Sequence, residues 1–150
     1  MLYPIGIQSF EKIRTGGFVY VDKTALIYSL AASGQYYFLS RPRRFGKSLL
    51  VSTMEAYFSG RKELFEGLAM ESLEKAWTEY PVLHLDLTGS SYTDISHLKI
   101  SLDQHLRKWE SLYDVTPVSE DLSSRFKDVI DTAYRKTGQK VVIIIDEYEK

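Results

Sequence analysis

The sequence predicts an α/β fold with a parallel sheet, on three observations. Apolar spacing alternates along the chain between strand-like and helix-like periods. A run of five β-branched residues, VVIII at 141–145, describes a strand covered on both faces, the central position of a parallel sheet. Hydrophobic residues make up 44% of the 150 positions and charged residues 26%, the balance of a chain that can bury a core rather than stay disordered.

The elements follow in order. Ser9 caps a short helix carrying Phe10 and Ile13, ended by Gly16 and Gly17. Phe18–Val21 is a short β-like run. Asp22 opens a helix to about Ala32, with Leu26, Ile27 and Leu30 on one face and Gly34 at its stop. Tyr36–Ser40 is an aromatic strand that Pro42 interrupts. The spacing of Leu50, Met54, Tyr57 and Phe58 predicts a helix over 47–58, with Gly60 after it. Residues 62–79 read as short helical pieces built on Leu64, Phe65, Leu68, Leu73 and Trp77, and Pro81 ends them. Val82–Leu87 is a second strand. Thr93 or Asp94 caps a long helix carrying Ile95, Leu98, Leu102, Leu106 and Trp109. Ser119 starts another, with Leu122, Phe126, Ile130, Ala133 and Tyr134 inward and Gly138 after it.

Composition narrows the function classes. The formal net charge is −1, which excludes a generally basic coat for nucleic acid. No apolar run reaches the roughly 18 residues of a membrane span, and the start MLYPIGIQSFEK has no secretory pattern. The chain has no cysteine. Disulfides, thiol nucleophiles and cysteine-based metal sites are therefore excluded, and a cytoplasmic address is the expectation. Charge is uneven: residues 1–75 carry 10 basic and 7 acidic groups, and residues 76–150 carry 9 and 13. Arg41, Arg43, Arg44 and Lys47 crowd seven positions, a local cluster suited to a bound anion rather than a long polyanion.

That cluster lies in SRPRRFGKSLL, residues 40–50. Gly46-Lys47-Ser48 opens the predicted helix as the second half of the phosphate-loop pattern G-x-x-x-x-G-K-[ST]. The first turn of a helix has unpaired N–H groups and the positive end of a dipole, so it attracts phosphate. Gly46 lets the backbone approach closely, Lys47 can reach the β- and γ-phosphates, and the Ser48 hydroxyl can ligate Mg²⁺. Arg41 stands where the general pattern has its first glycine. Arg43 and Arg44 are evenly divided between phosphate contacts and pairing with acids elsewhere.

Phosphoryl transfer on such a loop needs an acid at the end of a neighbouring strand to hold Mg²⁺, and a second carboxylate to orient water. VVIIIDEYEK supplies Asp146 and then Glu147, and successive residues leaving a strand point to opposite sides. Asp86 ends the VLHLDL strand on the same face as His84 and could approach the same crevice, although a structural hydrogen bond is favoured for a strand-end acid. His84, His97 and His105 show no metal-ligand spacing.

Loop and acidic strand together resemble a family. RPRRFGKSLL, the upstream FVYVDKTALIYSL, the start YPIGIQSFEKI and the terminal IIIDEYEK look like bacterial AAA-ATPase-like proteins, whose own form of the loop has Arg at position 41. The resemblance implies a P-loop NTPase, three-layer α/β/α with a mainly parallel sheet, that binds ATP and hydrolyses it with Mg²⁺. It implies Arg43, Arg44, Phe45, Gly46, Lys47, Ser48 and Leu49 around the nucleotide. Ser48 and Asp146 serve the metal, while Lys47 and Glu147 are catalytic, Glu147 activating water. Val21, Asp22 and Lys23 are candidates for the base site. A nucleotide-gated switch or scaffold with little hydrolysis is the alternative. The resemblance leaves a homo-oligomer or a partner protein open, and admits nucleic acid only through a C-terminal domain resembling PD-(D/E)xK nucleases that these 150 residues do not contain.

The chain stops at IIIDEYEK, directly after its most apolar strand. It therefore reads as the N-terminal part of a P-loop domain, truncated after the acidic (Walker B) strand and expected to turn over weakly or not at all by itself. In the resembled subclass another strand runs between the loop strand and the acidic strand. Residues 36–40 and 141–145 are thus expected to lack a shared neighbour and to leave a groove or a close contact.

Overall fold

A computed structural model describes residues 2–4, 6–33, 47–87 and 95–146. The chain divides into two compact units, the first ending at Glu79 and the second beginning at Tyr80.

The first unit is helical among its described residues. Helix α1, Phe10–Thr15, is capped by Ser9, whose Oγ accepts from the Lys12 N–H at 3.3 Å. Phe10 and Ile13 are both buried. Helix α2 spans Thr24–Ser33 and helix α3 spans Lys47–Phe58. The end of α3 follows from Gly60, which sits at φ +72° where a side chain is strained and where a Cβ would lie 3.0 Å from the Trp77 carbonyl oxygen. Gly60 N–H donates to the Tyr57 carbonyl and Arg61 N–H to that of Ala56, at 3.1 Å each, the paired bonds of a Schellman stop. A 3₁₀ turn at Lys62–Phe65 and helix α4, Ala69–Leu73, complete the unit. Phe10, Ile27, Ala56, Leu64, Phe65 and Met70 form its core. The Phe10 and Phe65 rings stand 4.8 Å apart and the Phe65 and Trp77 rings 5.2 Å.

Two expectations for this unit are corrected. Phe18–Val21 makes no strand; it contributes one parallel bridge, Leu2 to Phe18, and Val19 N–H donates to the Leu2 carbonyl at 2.7 Å. The run is too short to extend a ladder, and Val21 is 72% exposed just before the residues that start α2. Leu26 is also exposed, whereas Thr24 and Ile27 are buried. The inward stripe of α2 thus begins on a hydroxyl that finds polar partners, a pattern hydrophobicity alone does not reveal.

The second unit is α/β. Strands β1, Val82–Asp86, and β2, Val142–Asp146, pair in parallel. Val82 stands beside Val142, His84 beside Ile144 and Asp86 beside Asp146. Val142 N–H donates to the Pro81 carbonyl at 2.9 Å and Leu87 N–H to that of Asp146 at 2.7 Å, closing both ends of the ladder. Parallel strands need a crossover, supplied by α5, Ile95–Leu112, and α6, Leu122–Thr137. Leu83 and Leu85 pack against Leu106, Trp109 and Val129. Gly138, at φ +69°, takes the left-handed position that ends α6.

Three expectations are corrected here. Asp121, not Ser119, caps α6: its carboxylate accepts from Ser124 N–H at 3.0 Å, and Ser119 Oγ accepts from Asp121 N–H at 3.1 Å. Tyr134 is exposed, and the buried stripe of α6 is Arg125, Val129 and Ala133. The aliphatic strand is not covered on both faces: Ile144 and Asp146 are buried, but Ile143 and Ile145 are 40% and 60% exposed. The expected strand at 36–40, and with it the groove or contact with 141–145, lies outside the described residues, as do Gly34 and the capping candidates Thr93 and Asp94.

Candidate functional site

The predicted site divides between the two units. In the first, α3 is described from Lys47 onward. Ser48 and Leu49 are half-buried in its first turn, and Leu49 packs against the core. Several contacts fix this helix. Phe10 N–H donates to Ser52 Oγ at 2.9 Å, and Thr53 Oγ1 donates to the Leu49 carbonyl at 2.7 Å. Val51, Thr53 and Ala56 are buried. Burial pushes the Tyr20 phenol above its ordinary pKa, against the opposing effect of its bond with Thr53. Helix α3, which carries Ser48, is thus held against the core of the first unit. Arg43, Arg44, Phe45, Gly46 and Glu147 lie outside the described residues, as does the side chain of Lys47.

Of the base-site candidates, Val21 and Lys23 are exposed, and Asp22 is occupied by structure. Its carboxylate accepts from Thr24 N–H at 2.9 Å, from Thr24 Oγ1 at 2.6 Å and from Ala69 N–H at 2.7 Å. The Thr24 hydroxyl accepts in turn from Met70 N–H at 3.0 Å. Leu68, at the N-cap of α4, offers no side-chain acceptor, so the unpaired donors of α4 are satisfied by the start of α2. Partial burial raises the Asp22 pKa, but these hydrogen bonds outweigh it and hold the carboxyl below its ordinary 3.8.

In the second unit Asp146 ends β2 with only 6% of its surface exposed. Burying a carboxylate is costly unless something pairs with it. On the shared face of the two strands its lateral neighbour is Asp86, a second acid, and its diagonal neighbour is His84, whose Nε2 lies 4.0 Å from Asp146 Oδ2. Asp86 is exposed, and its N–H donates to His105 Nε2 at 3.2 Å while His105 Nδ1 lies 2.7 Å from the Ser101 carbonyl. The neutral ring with its hydrogen on Nδ1 satisfies both contacts. This bond is made by the Asp86 backbone, whereas the sequence expectation concerned its carboxylate as a buried, paired acid; Asp86 is exposed.

The donor chemistry fits Mg²⁺. Asp146 and Asp86 are hard oxygen donors at the carboxyl ends of parallel strands, where open α/β sheets place ligands. Among the described residues no cluster of three or more His, Asp or Glu side chains could hold a metal alone. Mg²⁺ does not ask for one: it keeps waters and takes substrate phosphates beside one or two carboxylates.

The sequence, showing no metal-ligand spacing, favours an ordinary packing or surface position for His84. The alternation of VLHLDL had already put it on the face of Asp86. What was missing was the register, which brings residue 84 beside residue 146.

Comparison with known proteins places the chain. The family described as predicted AAA-ATPase matches residues 4–150. An uncharacterized protein encoded in the vnfD 5′ region of Azotobacter chroococcum mcd 1 is 38% identical over 148 residues, which is 98% of this chain and 29% of that protein. The chain thus spans about 29% of the length of this curated relative. No solved structure matches. The chain belongs to the AAA-ATPase-like family.

Proposed function

We propose that, as a member of this family, the chain binds ATP through residues 43–49 and hydrolyses it with Mg²⁺ in a P-loop NTPase fold. The observation that carries the reading is the agreement of two features in the expected chain order. A helix described from Lys47 onward follows the RPRRFG segment in sequence, and a buried acid, Asp146, ends an apolar parallel strand.

In this reading Gly46 and the first backbone N–H groups of α3 cradle phosphate, and Lys47 neutralises the β- and γ-phosphate charge. Arg43, Arg44, Phe45 and Leu49 line the same site. Ser48 and Asp146 would hold Mg²⁺, which supplies charge stabilisation when bound. Glu147 accepts a proton from the attacking water. Residues 1–150 form the N-terminal part of the ATPase domain. Lack of cysteine supports a cytoplasmic address, and among the described residues no helix is long and apolar enough to cross a membrane.

Single-turnover measurement of ATP cleavage in the full-length protein, comparing Glu147→Gln with the wild type, tests the chemistry. The expected result is retained nucleotide binding with turnover reduced at least about a hundredfold, in the range for loss of a general base. Unchanged turnover would remove Glu147 from that role. Binding with no turnover in the full-length wild type would favour the nucleotide-gated switch instead.

A further inference from the structure

Asp146 is placed by more than its strand. Parallel pairing puts Val82, His84 and Asp86 on the same face as Val142, Ile144 and Asp146. Among these six side chains His84 alone carries a hydrogen-bond donor usable at an ionised carboxylate. Its Nε2 atom is closed to solvent and faces Asp146 Oδ2 at 4.0 Å. That separation exceeds a hydrogen bond. In a poorly hydrated setting, however, a ring N–H dipole still orients a carboxylate across 4 Å more strongly than in water. The side chains of His84 and Asp146 are 25% and 8% exposed. The lateral neighbour, Asp86, can only repel an ionised Asp146.

We propose that His84 is a positioning residue for Asp146: its ring fixes the orientation in which the buried carboxylate organises Mg²⁺ for bound nucleotide. This rests on the role given to Asp146 under the proposed function. Partners that orient a metal-binding carboxylate typically change metal affinity about ten- to a hundredfold when removed.

The test measures ATP affinity by calorimetry, with and without Mg²⁺, in the full chain and in His84→Gln, His84→Asn and Asp146→Asn. A Gln amide reaches the position of Nε2, whereas an Asn amide stops near Nδ1. The expected result is a loss of about tenfold in the Mg²⁺-dependent gain of ATP affinity for His84→Asn. His84→Gln should keep most of the gain, and Mg²⁺-free affinity should be unchanged in both. The proposal is overturned if His84→Asn keeps the full gain, if Gln and Asn lose it equally, or if Mg²⁺-free affinity falls by the same factor. Asp146→Asn separates the two levels. Should it leave the Mg²⁺-dependent gain intact, the role of Asp146 itself fails; should it abolish the gain while His84→Asn does not, only the inference about His84 fails.

Discussion

The two units hold their helices by different polar devices. In the first, side chains reach backbone groups some 40–50 residues away. Asp22 and Thr24 satisfy the N–H groups of Ala69 and Met70, Ser52 accepts from Phe10, and Arg14 donates to the carbonyls of Leu64 and Glu66. In the second, charge meets charge. Arg125 on α6 binds Glu110 through two bonds at 2.8 and 3.0 Å and Asp103 at 2.6 Å, with Arg125 and Glu110 only 8% and 5% exposed. These bonds hold the guanidinium pKa far above its ordinary value, the Glu110 bond contributing most. The difference teaches where each unit is fragile. A backbone donor that loses its acceptor costs one desolvated group. A buried ion that loses its partner leaves an uncompensated charge.

The largest expected effect follows from that contrast. Arg125→Met should destabilise the second unit by about 3–5 kcal/mol in urea unfolding, because Glu110 is left buried without its charge partner. Adding Glu110→Leu should recover most of the loss, since an apolar pair of similar volume replaces the ions at little cost. A single-mutant loss below about 1 kcal/mol would break the comparison. Thr24→Val comes next, at about 1–3 kcal/mol, because Met70 N–H is left buried without its acceptor. Gly138→Ala should cost about 1–2 kcal/mol through its left-handed backbone, and thermal melts suffice to check it.

The smallest effect sharpens the comparison through pH. Asp22 and Asp103 are both held below their ordinary 3.8, Asp22 by hydrogen bonds that outweigh its burial and Asp103 chiefly by its bond from Arg125. A depressed carboxylate binds fewer protons folded than unfolded. Each therefore contributes stability that is present above pH 3.8 and fades as pH falls through the lower folded value. Asp22→Asn and Asp103→Asn should each flatten the acid limb of stability. High salt should erase the Asp103 contribution, whose donor is a cation, and spare that of Asp22, whose donors are neutral. Equal salt sensitivity in acid titrations of the two variants would show that the devices do not differ.

Much of this was legible in the sequence, because local rules sufficed. Ser9, Gly60 and Gly138 marked helix ends by capping chemistry, and the aliphatic run before Asp146 marked a strand. What escaped depended on distant partners. Arg125 is buried because Glu110 and Asp103 on another helix pair with it. Thr24 is buried where α4 needs an acceptor. The exposure of Ile143 and Ile145 depends on what covers a strand face, and composition does not encode that. For the site, the sequence put Lys47 at a helix start and Asp146 at a strand end. Their surroundings, above all His84, came from the register of β1 against β2.

The central claim is that the RPRRFGKS segment is a nucleotide phosphate site. Equilibrium binding of ATP at fixed Mg²⁺, comparing the wild type with Lys47→Ala, tests it most directly. Loss of one charged partner of phosphate is worth about 1.5–3 kcal/mol. The account therefore predicts affinity at least about tenfold weaker in the variant, with unchanged melting temperature. Equal affinity of the two proteins would contradict it.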